Sequence, residues 1–127
     1  MQPVRDLLKL KPHLQLRRMY LADLDQVCKI EAEAYGKVHW TRDNFVSELD
    51  NKIAHYLVLE DTEAKEIMGY IGSWLVVDEM HITTVATATK YLRKGVAELL
   101  LVHLIDTAFP GRDHYRINVA DILSSLQ

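Results

Sequence analysis

What most constrains the fold of this chain is the stretch from Glu79 to Phe109, E-M-H-I-T-T-V-A-T-A-T-K-Y-L-R-K-G-V-A-E-L-L-L-V-H-L-I-D-T-A-F. Its first part, His81 to Thr87, is rich in β-branched residues and predicts a strand. A short polar link with Arg93, Lys94 and Gly95 follows. From Val96 to Phe109 apolar residues recur at 96, 99, 100, 104 and 108, with Glu98 and Asp106 left for water. That period predicts a helix. Strand, basic glycine turn and helix start together offer free backbone N–H groups and a positive dipole end, where a phosphate can sit.

The 127 residues suffice for one compact domain and not for two. A domain of this size buries roughly two-thirds of its unfolded surface, so a core without staples is feasible. Apolar residues at 49% and charged residues at 26% are ordinary for a soluble protein. A net charge of −3 gives no sequence-wide attraction to nucleic acid. The lone Cys28 cannot form an intramolecular disulfide and fits a reducing compartment; its apolar helix neighbours suggest a buried, inert thiol. No apolar run approaches the roughly 20 residues of a membrane span, and the N-terminus lacks an apolar signal core. The expectation is a cytoplasmic protein without a membrane partner. The six histidines lack ligand spacing with Cys or carboxylates, so no metal is expected.

Taken in order, V-R-D-L-L-K-L before Pro12 could form a short helix, and Leu14, Leu16 and Met19 predict a first strand. Ala22 to Tyr35 has a helical period with Asp23 near its start, stopped by Gly36. Thr41 can cap a second helix whose inner face is Phe45, Val46 and Leu49. His55–Glu60 and Ile67–Val77 predict an antiparallel hairpin, with Gly69 and Gly72 marking a bulge or close packing, and Glu79–Thr87 returning as a third strand. His103 falls on the apolar stripe of the long helix, as a packed core histidine would. After Pro110-Gly111, alternation at Tyr115, Ile117 and Val119 predicts a last strand, reached by a crossover to a parallel neighbour, and 120–126 could add helical turns.

At this point four pieces of the chain resemble, in order, the GNAT acetyltransferases, and among them the RimI-like protein N-terminal acetyltransferases. D-L-D-Q-V-C-K-I-E-A-E-A-Y resembles the family's first helix, with Glu31 in its Ile-Glu pair. H-W-T-R-D-N-F-V-S-E-L resembles the second helix, I-M-G-Y-I-G-S-W the Gly-Tyr strand, and H-I-T-T-V-A-T-A-T-K-Y-L-R-K-G-V-A the acetyl-CoA motif. Residues 14–109 match well and 110–127 diverge. In the pyrophosphate loop Leu92 stands where the family has Gln or Arg, beside Arg93 and Lys94, while Gly95-Val96-Ala97 is intact. The glutamate and tyrosine that serve RimI-like enzymes as C-terminal base and acid have no matching residues.

The resemblance implies that the Arg93, Lys94, Gly95, Val96 and Ala97 turn holds the pyrophosphate of acetyl-CoA, with Val85, Ala86 and Thr87 along its pantetheine arm. The plainer reading of the turn is an ordinary helix start with solvated cations. Glu31, Tyr35 and Trp40 would border the groove for a peptide acceptor, or simply pack a helix end. Glu79 and His81 lie two apart, hence on one strand face, and are the substitute candidates to take the proton of the attacking amine. Their plainer reading is an exposed acid beside a half-buried strand histidine.

The sequence therefore predicts a single α+β domain, 1–127, of GNAT type: a mixed, mostly antiparallel sheet flanked by helices and lacking the family's last strands. An unfinished sheet edge predicts a homodimer. The expected function is transfer of the acetyl group of acetyl-CoA to a protein N-terminal α-amine. The alternatives are a catalytically impaired acyl-CoA-binding or interaction module, and a shortened product of a longer gene.

Overall fold

Alternating apolar residues build the outermost strand of a five-stranded sheet, β1 (Leu14–Arg18). In this computed structural model, residues 13–37, 39–108 and 116–118 are described. A 3₁₀ turn at Leu21–Asp23 leads into helix α1 (Leu24–Tyr35). Asp23 anchors that entry: its carboxylate accepts the Tyr20 N–H at 2.7 Å and a two-pronged bond from Arg17 at 2.8 Å each. Gly36 ends the helix at φ +66°, a left-handed conformation open to glycine. Helix α2 (Arg42–Leu49) starts at Thr41, whose hydroxyl accepts the Asn44 N–H while the Asn44 side chain accepts the Thr41 N–H.

Strands β2 (Ala54–Asp61), β3 (Glu66–Val76) and β4 (Glu79–Thr87) form the expected antiparallel meander. Helix α3 (Val96–Ala108) then leads to β5 (Arg116–Asn118), which lies parallel to β4 with Glu79 opposite Arg116 and His81 opposite Asn118. Strand order follows chain order, so the crossover joins neighbours. The mixed, mostly antiparallel α+β architecture read from the sequence is thus the one observed. The expected helices before Pro12 and over 120–126 lie outside the described residues.

Two cores sandwich the sheet. Leu57, Leu59, Met68, Ile71, Met80, Ile82 and Val85 meet Val96, Leu99, Leu100 and Leu104 of α3. On the other face Tyr56, Val58, Ile67, Tyr70 and Ala86 meet Leu24, Val27 and Ile30 of α1 and Phe45 of α2. Two expected burials do not hold. Val46 is 41% exposed, because the helical period puts Leu49 with Phe45 and turns residue 46 about 100° away. His103 is half-buried, at the margin of the α3 stripe.

Bulges shift the strand periods. Leu59 pairs with Gly69 but Glu60 with Ile67, leaving Met68 as the extra residue of β3. Gly72 pairs with Thr84 but Ser73 with Ile82, leaving Thr83 as the extra residue of β4. The glycines expected to mark close packing do so. A Cβ on Gly72 would meet the Tyr56 ring at 2.2 Å, and one on Gly69 would meet Val96 Cγ1 at 2.7 Å.

Candidate active site

The bulge at Thr83 decides which groups share a face. Met80 and Ile82 point toward α3, and after the extra residue so does Val85. Thr83 and Thr84 both serve the opposite face, where Thr83 Oγ1 lies 2.8 Å from the Tyr56 hydroxyl and Thr84 donates to Glu31 at 3.0 Å. Glu79 and His81, out of phase with Met80 and Ile82, stand on this α1–α2 face as well. Their side chains touch, His81 Nε2 to Glu79 Oε1 at 2.8 Å, and each is a little over one-third exposed. Beside His81 in the register, Trp74 is partly open, with its indole N–H donated to Glu48 of α2 at 2.7 Å.

The residues expected along a groove lie farther along the same face. Trp40 packs on Phe45 and Tyr56, ring centroids 5.3 and 6.2 Å away. Tyr35 is partly buried and donates its hydroxyl to the Val85 carbonyl at 2.5 Å. Glu31 corrects the expectation of a groove residue. It is 2% exposed, and its carboxylate accepts from the Tyr70 hydroxyl, Thr84 Oγ1 and the Trp40 backbone N–H. Burial, reinforced by the Glu31 carboxylate, pushes the Tyr70 phenol far above its ordinary range, so it stays a donor. Burial likewise raises the Tyr56 phenol, against the Thr83 hydrogen bond. Cys28 is only partly buried, which corrects the sequence expectation; burial still raises its thiol.

Backbone parity on β4 defines a second feature. Ala88 N–H donates to Met68 O at 2.8 Å, so Ala88, and Ala86 two residues earlier, face β3. The N–H and C=O groups of Val85 and Thr87 therefore face the outer edge, where among the described residues β5 pairs only with 79–81. That edge runs into the 3₁₀ turn Thr89–Tyr91 and then the basic turn. Arg93 (φ +63°) and Gly95 (φ +85°) are both left-handed, and Arg93 and Lys94 are exposed. Leu99 N–H bonds Gly95 O at 2.9 Å, so the helical ladder begins there and the N–H groups just before it lack helical acceptors. Such a concave turn at a helix start accepts an anion. Among the described residues no group of three or more His, Cys, Asp or Glu gathers as a metal site, and no helix is long and apolar enough to cross a membrane.

Sequence reasoning missed Tyr56, Tyr70, Trp74, Thr83 and Thr84. A signal was present in the paired threonines, polar side chains side by side where an apolar strand should alternate.

The acetyltransferase (GNAT) family model matches residues 15–125. The chain belongs to the GNAT family. This GNAT domain is 38% identical over 92 residues to a Bacillus subtilis (strain 168) protein provisionally named as a ribosomal protein bS18-alanine N-acetyltransferase. The match covers 72% of this chain and 59% of that protein. The fold resembles the crystal structure of the ribosomal-protein-S18-alanine N-acetyltransferase of Escherichia coli (TM-score 0.65, 22% identity, 75% of this chain and 59% of that one). It also resembles the PaiA N-acetyltransferase of Thermoplasma acidophilum in complex with coenzyme A (TM-score 0.63, 11% identity, 75% and 71%). The GNAT chain thus spans 59% of the length of both alanine N-acetyltransferases.

Proposed function

We propose that this chain is an acetyl-CoA-dependent N-acetyltransferase acting on the α-amine of a protein N-terminus in the cytoplasm. The observation that carries the reading is one continuous edge: outward backbone groups at Val85 and Thr87 leading into the Arg93–Ala97 turn. A pantetheine arm is in effect a strand of amides, and such an edge can pair with it. The turn supplies N–H groups and two exposed cations for the pyrophosphate, so the residues present fit the cofactor. Relatedness to proteins named as alanine N-acetyltransferases supports a peptide acceptor.

Acetyl-CoA supplies an activated acyl carbon; the chain must supply a neutral amine and a place for the developing negative charge. The Glu79–His81 pair lies on the face that carries Trp40 and Trp74, where it can accept the amine proton directly or through water. The outward N–H of Val85 can stabilise the carbonyl oxygen as charge develops.

Isothermal titration of acetyl-CoA, with Gly95→Glu as control, tests the proposal. Expected is micromolar binding that the substitution abolishes, because it puts a carboxylate and a Cβ at φ +85° in the anion turn. Absence of binding to the wild type at millimolar acetyl-CoA overturns the reading.

A further inference from the structure

We infer that Glu66 is a positioning residue for the cofactor: from the start of β3 it holds the turn Thr89–Tyr91, and through it the Arg93–Ala97 turn, in the shape that takes the pyrophosphate. The inference rests on the acetyl-CoA site proposed above. Strand β4 leaves the sheet at Ala88, whose N–H bonds Met68 O, and the α3 ladder begins at Gly95 O. In the segment between, the backbone bonds of the 3₁₀ turn are local. Tyr91 N–H reaches Ala88 O at 2.8 Å, and Leu92 N–H reaches Thr89 O at 3.4 Å. Just beyond, Arg93 takes a left-handed φ of +63° without being glycine. Such conformations persist where the surroundings hold them.

Here the holding is done by side chains, since all three residues of the 3₁₀ turn are tied to elements outside it. Thr89 Oγ1 donates to Glu33 of α1 at 2.9 Å. Lys90 Nζ donates to both oxygens of Glu66, at 3.2 and 3.3 Å, and the Tyr91 hydroxyl donates to one of them at 2.6 Å. Glu66 thus gathers two consecutive residues of the turn on one carboxylate, while the Tyr91 ring packs against the α3 side of the core. The Tyr91 bond, and then Lys90, hold the Glu66 carboxyl below its ordinary range, so at neutral pH it is a charged acceptor. The Lys90 side chain is 67% exposed, which makes its pairing a weak surface one; half-buried Tyr91 is the firmer link.

Charge and positioning predict opposite signs. Glu66 is a negative group beside the approach to an anion site, and it keeps Lys90 occupied. If charge alone mattered, removing the carboxylate would free a cation and tighten cofactor binding. If Glu66 positions the turn, removing it lets the turn leave the competent shape, and the apparent affinity falls with the fraction of competent protein.

The test is titration of the whole chain with acetyl-CoA at one fixed ionic strength, followed by displacement with two partial ligands. Adenosine diphosphate carries the diphosphate without the pantetheine arm, and S-acetylpantetheine carries the arm without the diphosphate. Glu66→Ala is expected to weaken acetyl-CoA and adenosine diphosphate alike, by roughly tenfold, with S-acetylpantetheine unchanged. Tyr91→Phe alters no charge and keeps the ring in its packing. It covers the case of an alanine variant that does not fold, and is expected to give the same split. The double variant is expected to be no weaker than either single one, since both remove one link. Affinity that is unchanged or tighter in both single variants overturns the role of Glu66. So does a loss that S-acetylpantetheine shares, which would mark general damage to the domain. Wild-type protein that binds acetyl-CoA, with the split present in its variants, but acetylates no alanine-initiated peptide overturns the acetyl-transfer reading and leaves the role of Glu66 standing. Wild-type protein that does not bind acetyl-CoA overturns both.

Discussion

The carboxylate of Glu31 accepts from donors on β3, on β4 and in the segment between α1 and α2. Replacing it with alanine leaves the Tyr70 and Thr84 hydroxyls and the Trp40 N–H without their acceptor. At ~1–3 kcal/mol for each unsatisfied buried group, Glu31→Ala is expected to lose about 3 kcal/mol or more in urea unfolding. Glu31→Gln is the sharper probe. Its single oxygen can serve Tyr70 and Thr84, but its NH₂ then faces the Trp40 N–H, donor against donor. The glutamine variant should retain most of its stability yet show altered Trp40 fluorescence; an unchanged emission spectrum would contradict the tie to Trp40. The burial of Glu31 was legible from spacing, since it follows Val27 by four residues and shares the stripe with Leu24 and Ile30. Its partners were not legible, because they sit on strands 39 and 53 positions away and depend on how the sheet pairs.

Among the elements, the entry to α1 carries a pH dependence whose sign follows from its partners. Burial alone would raise the Asp23 pKa, but the Arg17 guanidinium and the Tyr20 N–H outweigh it and hold the carboxyl below its ordinary value. Arg17 also bonds Glu60 at 2.9 Å, so the pair ties β1 and β2 to the helix start. A depressed folded pKa means the stabilisation is complete above the unfolded aspartate value and fades as pH falls through the folded one. The urea midpoint of the wild type is therefore expected to drop more steeply below about pH 4 than that of Asp23→Asn. Parallel profiles would show that Asp23 does not control acid stability. Periodicity gave the order and nature of these elements, because long apolar stripes survive small errors of register. It could not place the extra residue at Thr83, since a bulge depends on the partner strand. The neighbouring Gly72 was the visible trace.

At the scale of the whole molecule, two expectations drawn from the sequence compete for one surface. The expected second copy would pair with an open sheet edge, yet the outward edge at Val85 and Thr87 is the edge that acetyl-CoA needs under the proposed function. A partner strand laid there would occupy the same N–H and C=O groups as the pantetheine amides, so the two could not be bound together. Linkage then requires saturating acetyl-CoA to dissociate any dimer built on that edge, by the difference in its affinity for the two states. Among the described residues the Val85 edge leads through the Thr89–Tyr91 turn into the anion turn, and a partner there would close the site. Self-association, if the chain shows it, is accordingly predicted to use another surface. Light scattering should return the same mass with and without saturating acetyl-CoA, while titration reports full occupancy. A mass that halves on adding acetyl-CoA would place the dimer on β4 and make self-association an inhibitor of cofactor binding.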